Sequence, residues 1–344
     1  MDSRKPVPDI LKGVAVLMMI QVHLTELFAT QGFYDGVFGR LSLFLGGPPA
    51  APVFMAVMGY FIMAGKASMG KDIVRGIQLI ILGFALNIAL NAHALIKVIA
   101  GDLALHPMHL VFGVDILFLA GLSIIIIAIL KPLLKKHFLA GVILACIVAC
   151  ITPLFNIFSE SGRASDYLLA YVGGSFKWSY FPLFPWLAYP LAGCSYHIFE
   201  KRFAISAVPA KKIIYGILIL LLIIIPTGYF MASVPTDLHS YYHHGILFFM
   251  WDITFLLVWA GSILLIAQWL QGHFFSKWLG WIGRNVTVFY VVQWIIIGNL
   301  GTWLYRSVKA PWLIVYFFGI VLITCLCAWA WTAIRASINK DRLM

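Results

Sequence analysis

The sequence is poor in charged residues. Only 11% of its 344 residues are charged, and 13 are acidic. Soluble domains usually carry about 25% charged residues, so this chain lacks the side chains needed to cover a water-exposed surface. Hydrophobic residues make up 62% of the chain instead. This composition excludes a soluble fold and predicts that most of the protein surface faces lipid.

Cysteine is scarce, and long polar linkers are missing. The five cysteines lie within apolar segments, and an odd number cannot pair completely. We therefore interpret them as small packing residues rather than as disulfides or metal ligands. The sequence also lacks internal repeats, low-complexity tracts and any polar segment long enough for a soluble domain. We expect one membrane domain over residues 1–344.

Long apolar runs are present in place of these features. They lie at about 9–30, 50–66, 73–92, 112–130, 136–154, 179–199, 211–230, 245–269, 278–298 and 310–334. A helix of about 20 residues crosses the hydrocarbon core of a bilayer. The runs lack the strict alternation of barrel strands. The sequence therefore predicts an all-α polytopic membrane protein with about ten transmembrane helices.

The basic residues are distributed unequally between alternate loops. One set of loops holds 18 lysines and arginines and the other holds 6, which accounts for all 24. Loops rich in lysine and arginine stay in the cytoplasm. We therefore predict that both termini are cytoplasmic and that the longest outer segments are about 31–49, 93–111 and 155–178. Because the net charge of +11 is explained by these loops, we expect a lipid bilayer and no nucleic acid as partner.

The first apolar run contains four polar residues on one helical stripe. At 100° per residue, Asp9, Lys12, His23 and Glu26 fall within about 100° of arc. Lys12 and His23 are about three turns apart, so the stripe reaches from the cytoplasmic edge into the outer half of the membrane. Titratable residues inside a membrane are costly and usually functional. The alternative is that Asp9 and Lys12 anchor the helix and His23 is a packing residue.

Two further acids lie in apolar runs near their outer ends, Asp115 and Asp252. Pairing with a neighbouring helix explains each of them, and binding of substrate hydroxyl groups is the functional alternative. His239 and His243 stand one turn apart beside His244, a pattern that could ligate a metal. No third ligand is identifiable, so we expect no metal.

Several motifs occur in the order seen in a known superfamily. In the first of them, ten residues separate Lys12 from His23. The others are Ala51-Pro52-Val53-Phe54-Met55 to Gly59-Tyr60, Arg75 to Leu82-Gly83, Phe112-Gly113-Val114-Asp115-Ile116-Leu117, Tyr180-Phe181-Pro182-Leu183-Phe184-Pro185-Trp186-Leu187, and Gly283-Arg284-Asn285 to Tyr290 and Gln293-Trp294. Together they resemble the membrane acyltransferase superfamily, which includes the acyltransferase type-three and heparan-alpha-glucosaminide N-acetyltransferase-like proteins. Those families usually have histidine where this chain has Gln293.

The resemblance implies transfer of an acyl group across the membrane. The donor would be cytoplasmic acyl-CoA, with acetyl-CoA expected, and the acceptor a hydroxyl or amine of an extracytoplasmic carbohydrate. His23 would be the catalytic base or acyl carrier, and Glu26 would orient it. The residues expected to bind the CoA phosphates are Lys12, Arg75 and Arg284. Asp115 and Asp252 would bind the acceptor.

Other interpretations remain open at this point. A proton-coupled secondary transporter or exporter could use the same buried acids and His23. Transporters often show inverted repeats and helices broken at corresponding places, and the sequence shows neither. A non-catalytic scaffold leaves the polar stripe unexplained. Within the superfamily, the heparan-type branch places its base after the first helix, which directs attention to His106 and His109. We expect a bacterial inner-membrane location, and a homodimer is compatible with the sequence.

Overall fold

The computed structural model describes residues 7–203 and 208–341. Within these ranges the bundle is made of α-helices, and β structure is limited to isolated bridges between single residues. The bundle helices are α1 (Val7–Leu27), α2 (Val37–Gly46), α3 (Ala51–Ala64), α4 (Met69–Leu90), α5 (Ile116–Lys136), α6 (Phe138–Phe155), α7 (Ala188–Arg202), α8 (Ala210–Met231), α9 (Ile246–Trp269), α10 (Phe274–Arg284), α11 (Val286–Leu304) and α12 (Ala310–Asp341). The all-α prediction is confirmed.

The bundle has the segments of a polytopic membrane protein. Eight stretches of the described residues are long and apolar enough to cross a membrane. The predicted runs 136–154 and 179–199 fall on the shorter helices α6 and α7. The number of ten spans and the side of the termini stay predictions. Arg4, Lys5 and Arg342, which belong to the charge count, lie outside the described residues.

We call the end at which α1 begins the inner end, and the end at which α1 stops the outer end. The charge distribution predicts that the inner end faces the cytoplasm.

The second span is broken in its middle. α2 lies antiparallel to the outer half of α1, where Ser42 Oγ donates to Gln21 Oε1 at 2.6 Å. The span resumes as α3 after a break at residues 47–50. The break follows from Gly46-Gly47-Pro48-Pro49, because proline has no N–H with which to continue a helix. The expectation that residues 31–49 form an outer segment is therefore wrong, because residues 37–46 form the first half of a span.

The predicted ninth run, 278–298, is divided at Asn285. α10 crosses the inner half of α1 so closely that a Cβ built on Gly283 would lie 1.8 Å from the backbone oxygen of Asp9. Only glycine leaves room for such an approach. α11 then forms the span itself. This division places Arg284, the last residue of α10, at the inner end of the bundle.

α1 is the central helix of the bundle. It packs against α2, α3, α9, α10, α11 and α12. Glycines also bring α3 close to α7 and α4 close to α5, as small residues do in membrane helix packing. The polar stripe of α1 is consequently surrounded by other helices.

The predicted orientation can be tested by cysteine labelling. In a chain whose own cysteines are replaced by alanine, Ser68→Cys and His137→Cys at the inner end should resist an impermeant thiol reagent in intact cells. Ala100→Cys and Arg163→Cys at the outer end should react, since all four positions are exposed. Labelling of the first pair would overturn the orientation, and with it the cytoplasmic placement of Lys12.

Candidate active site

The polar stripe of α1 contains two pairs of interacting side chains. At the outer end, His23 Nδ1 lies 3.0 Å from Glu26 Oε2, and the two side chains are 14% and 15% exposed. At the inner end, Lys12 Nζ lies 3.0 Å from Asp9 Oδ1. Each pair joins residues three apart, which a regular helix places on one face. The continuous helix therefore brings together the residues of each pair as the sequence predicts.

Glu26 determines how His23 presents its two nitrogens. An ionised carboxylate can only accept hydrogen bonds, so Nδ1 carries the proton that points to Glu26. In a neutral imidazole, Nε2 is then the acceptor. Among the described residues, no hydrogen bond reaches Nε2 of His23. This nitrogen is placed to take a proton from a substrate.

Side chains from α11 and from the start of α5 complete the surroundings of His23. The Trp294 and His23 rings have centroids 4.0 Å apart and an interplanar angle of 39°. This contact restricts the orientation of the imidazole ring. Asp115 caps α5 by accepting from Leu117 N at 2.9 Å, and its Oδ1 also accepts from the Tyr290 hydroxyl at 2.6 Å. Asp115 is near enough to His23 for an electrostatic interaction. The site therefore holds one histidine and two carboxylates from two helices.

Four tyrosines of the outer end interact electrostatically with Glu26. Tyr34, Tyr180, Tyr241 and Tyr242 all lie within electrostatic range of its carboxylate. The Tyr180 and Tyr242 rings contact each other, with centroids 5.5 Å apart. A phenol both donates and accepts hydrogen bonds, as a hydroxyl-bearing ligand requires.

A second feature lies at the inner end, between α4, α11 and α12. It is an open cleft of about 730 Å³ with two arginines on its wall, Arg284 and Arg335. Its other polar lining comes from Gln78, Asn285 and Thr287. The guanidinium groups and neutral donors together are suited to bind phosphates.

The other predicted donor-binding residues lie outside this cleft. Lys12 is paired with Asp9, and its Nζ lies 5.1 Å from the centroid of the Phe61 ring. Arg75 is exposed one turn before Gln78 on α4 and does not line the cleft. Of the three, the structure brings only Arg284 to the cleft wall.

Asp252 belongs to a separate buried cluster. Its side chain is fully buried in α9, near Tyr189 and Tyr241. The Tyr189 hydroxyl lies 3.0 Å from His244 Nε2, and His244 Nδ1 lies 2.7 Å from the Tyr241 backbone oxygen. Burial lowers the pKa of His244 to about 4, so it is neutral at physiological pH. The structure does not bring Asp252 to His23.

The remaining outer histidines form other contacts. Burial also lowers the pKa of His243 to about 4. Among the described residues, no group of three potential ligands is arranged to hold a metal ion. His109 stacks on Trp178 with centroids 4.1 Å apart, and its Nε2 lies 3.9 Å from Glu160. The His106 ring contacts the His109 ring, with centroids 4.8 Å apart. Both histidines therefore belong to a separate cluster in the connecting segments of the outer end.

The sequence did not reveal every residue of these two sites. Trp294 and Tyr290 lie in the last of the family-like motifs. Aromatic residues near the ends of apolar runs are usually interfacial, so the sequence gives no reason to single these two out. Arg335 counted only as one of the basic residues that set the orientation. Gln293, the departure from the family pattern, is fully buried beside Trp294.

Comparison with known proteins identifies the family to which this chain belongs. The acyltransferase domain of the type-three family matches residues 6–332. The chain therefore belongs to the type-three acyltransferase family and is a membrane acyltransferase. A search of curated proteins and a search of solved structures each found no match.

Proposed function

We propose that this acyltransferase moves an acyl group, with acetyl expected, from cytoplasmic acyl-CoA to a hydroxyl or amine of an extracytoplasmic carbohydrate. His23 is the catalytic base in this proposal, and Glu26 is the residue that positions it. The orientation predicted from the charges and a bacterial inner-membrane location belong to the same proposal.

One observation supports this assignment most strongly: the helix α11 connects the inner cleft with His23. Thr287 lines the cleft, and Trp294 contacts the imidazole ring. The two positions are seven residues apart, which corresponds to a rise of about 10 Å along the helix. A donor whose phosphates lie by Arg284 could therefore extend its flexible arm along α11 and present the thioester to His23.

The reaction would need one base and no external reagent. Nε2 of His23 takes the proton of the acceptor hydroxyl or amine while the acceptor oxygen or nitrogen attacks the thioester carbonyl. The carbon–sulfur bond breaks, and the imidazolium returns the proton to the sulfur of CoA. In the covalent route, Nε2 attacks the thioester carbonyl and the carbon–sulfur bond breaks to release the CoA thiolate. The acceptor then attacks the acyl-imidazole, the bond between the acyl carbon and Nε2 breaks, and the acceptor proton passes to the CoA thiolate.

The acceptor would approach from the outer side. Asp115 has one oxygen engaged by Tyr290 and Leu117 and can accept from a sugar hydroxyl with its other oxygen. We keep Asp115 as an acceptor-binding residue. Asp252 is fully buried and apart from His23, so in this proposal it has a structural role in the bundle and does not bind the substrate.

A transfer assay tests the proposal. Purified protein is incubated with acetyl-labelled acetyl-CoA and a panel of glycosides, and labelled glycoside and free CoA are expected in equal amounts. The broken second span is a feature typical of transporters, which keeps the exporter as the second candidate. Movement of an unmodified glycoside across proteoliposomes without release of CoA would favour that candidate and overturn the proposal.

A further inference from the structure

Arg306 has an unusual backbone conformation at the outer end. Its φ of +53° is the only positive φ of a non-glycine residue in the described part of the chain. Such conformations are strained and occur frequently at functional sites. Hydrogen bonds hold it there: Arg306 N donates to Leu27 O at 2.9 Å, and Val308 N donates to Phe28 O at 2.8 Å. These bonds fix the backbone of Arg306 to the C-terminal end of α1.

The side chain of Arg306 is held as firmly as its backbone. Its guanidinium carbon lies 3.7 Å from the centroid of the Tyr34 ring and 5.8 Å from that of Tyr305. Its Nη1 donates to the backbone oxygen of Thr25 at 3.5 Å. Thr25 directly precedes Glu26, and the Tyr34 ring under the guanidinium lies within electrostatic range of Glu26, so Arg306 lies on the outer side of the His23–Glu26 pair.

No acidic side chain neutralises this guanidinium among the described residues. Two acids of the outer end are engaged with other side chains, since Glu26 pairs with His23 and Asp35 accepts from the Gln31 amide at 2.9 Å. Burial raises the pKa of Tyr34, with Arg306 acting in the opposite direction, so the phenol stays neutral and adds no countercharge. The result is a fixed, half-buried cation with unused donors next to the candidate site.

We propose that Arg306 binds a carboxylate or phosphate group of the acceptor, so that this acyltransferase selects anionic carbohydrates. Arginine suits this task because its planar fork forms two parallel hydrogen bonds to a carboxylate or phosphate. The exposed Tyr305 ring beside it offers an apolar surface for the sugar itself. This inference rests on the proposed function for the identity of the ligand as an acceptor.

Binding of simple probes tests the inference without any acyl transfer. The probes are methyl glucuronide for a carboxylate, glucose 6-phosphate for a phosphate, and methyl glucoside as the neutral control, each titrated against the purified protein. We expect at least one anionic probe to bind roughly tenfold or more tightly than the neutral one, and high salt to reduce the difference. Which anionic probe binds distinguishes the two sources of charge.

Variants then assign the preference to Arg306. Arg306→Gln should lose the discrimination between anionic and neutral probes while CoA binding stays unchanged, which a merely structural role would not predict. Lys309→Gln removes a nearby exposed outer charge and should leave the discrimination intact. Equal binding of all probes by the wild type, no binding of either anionic probe, or full discrimination by Arg306→Gln would overturn the inference. Discrimination without any acyl transfer would instead count against the proposed function alone.

Discussion

His23→Ala is expected to keep expression, folding and CoA binding but to lose acyl transfer by at least about a hundredfold. The imidazole of His23 offers a basic nitrogen to a substrate, because Glu26 engages Nδ1 and, among the described residues, no hydrogen bond reaches Nε2. A base contributes roughly 10²–10⁴ in rate, and a covalent carrier contributes more. The measurement is the initial rate of label transfer from acetyl-CoA at saturating donor.

Glu26→Gln should cause a smaller loss, because an orienting residue acts only through His23. The double variant His23→Ala, Glu26→Gln should then be little worse than His23→Ala alone, since residues that act as a unit are not additive. His273→Ala, an exposed histidine at the inner end, serves as the matched control and should transfer at the wild-type rate. A near-wild-type rate for His23→Ala would place the base elsewhere, and His106→Ala and His109→Ala would be the next variants to measure.

The contacts of His23 show which parts of the site could be predicted from the sequence. Its pairing with Glu26 is local: one unbroken helix repeats every 3.6 residues, so two positions three apart share a face whatever the rest of the chain does. The contact with Trp294 and the bond between Asp115 and Tyr290 join separate helices, the latter across 175 residues of sequence. Such contacts depend on how the helices pack, and periodicity within one helix carries no information about packing.

The broken second span shows a different limit. A run of glycine and proline ends a helix, but the local sequence is the same for a loop outside the membrane and for a break inside it. The structure places Gly46-Gly47-Pro48-Pro49 beside the outer half of α1, because Ser42 and Gln21 bond there. For Arg335, the sequence predicts only that it is one of the cytoplasmic basic residues. Its place in the cleft depends on α12 continuing to Asp341, past the apolar run that ends near residue 334.

CoA binding is expected to depend on two arginines that come from different helices. Arg284 ends α10 and Arg335 lies near the end of α12, and both line the inner cleft. Charge-assisted hydrogen bonds contribute about 1.5–3 kcal/mol each. Arg284→Ala and Arg335→Ala should therefore each raise the dissociation constant of CoA roughly 10- to 100-fold, measured by titration of the purified protein.

Matched variants make this prediction specific to the cleft. Lys71→Ala removes an equal charge from an exposed position near the start of α4 and should leave CoA binding unchanged, as should Lys12→Ala, because Asp9 pairs with that lysine. Arg75→Ala should have a smaller effect than Arg284→Ala, since Arg75 lies one turn outside the lining.

Dephospho-CoA then shows which phosphate each arginine binds. A variant that has lost its contact with the 3′-phosphate should bind CoA and dephospho-CoA equally well, whereas the wild type should prefer CoA. A variant that has lost a pyrophosphate contact should keep this preference and bind both ligands more weakly. If Arg284→Ala and Arg335→Ala fold normally and bind CoA as the wild type does, the donor does not occupy the cleft, and the path along α11 to His23 is wrong.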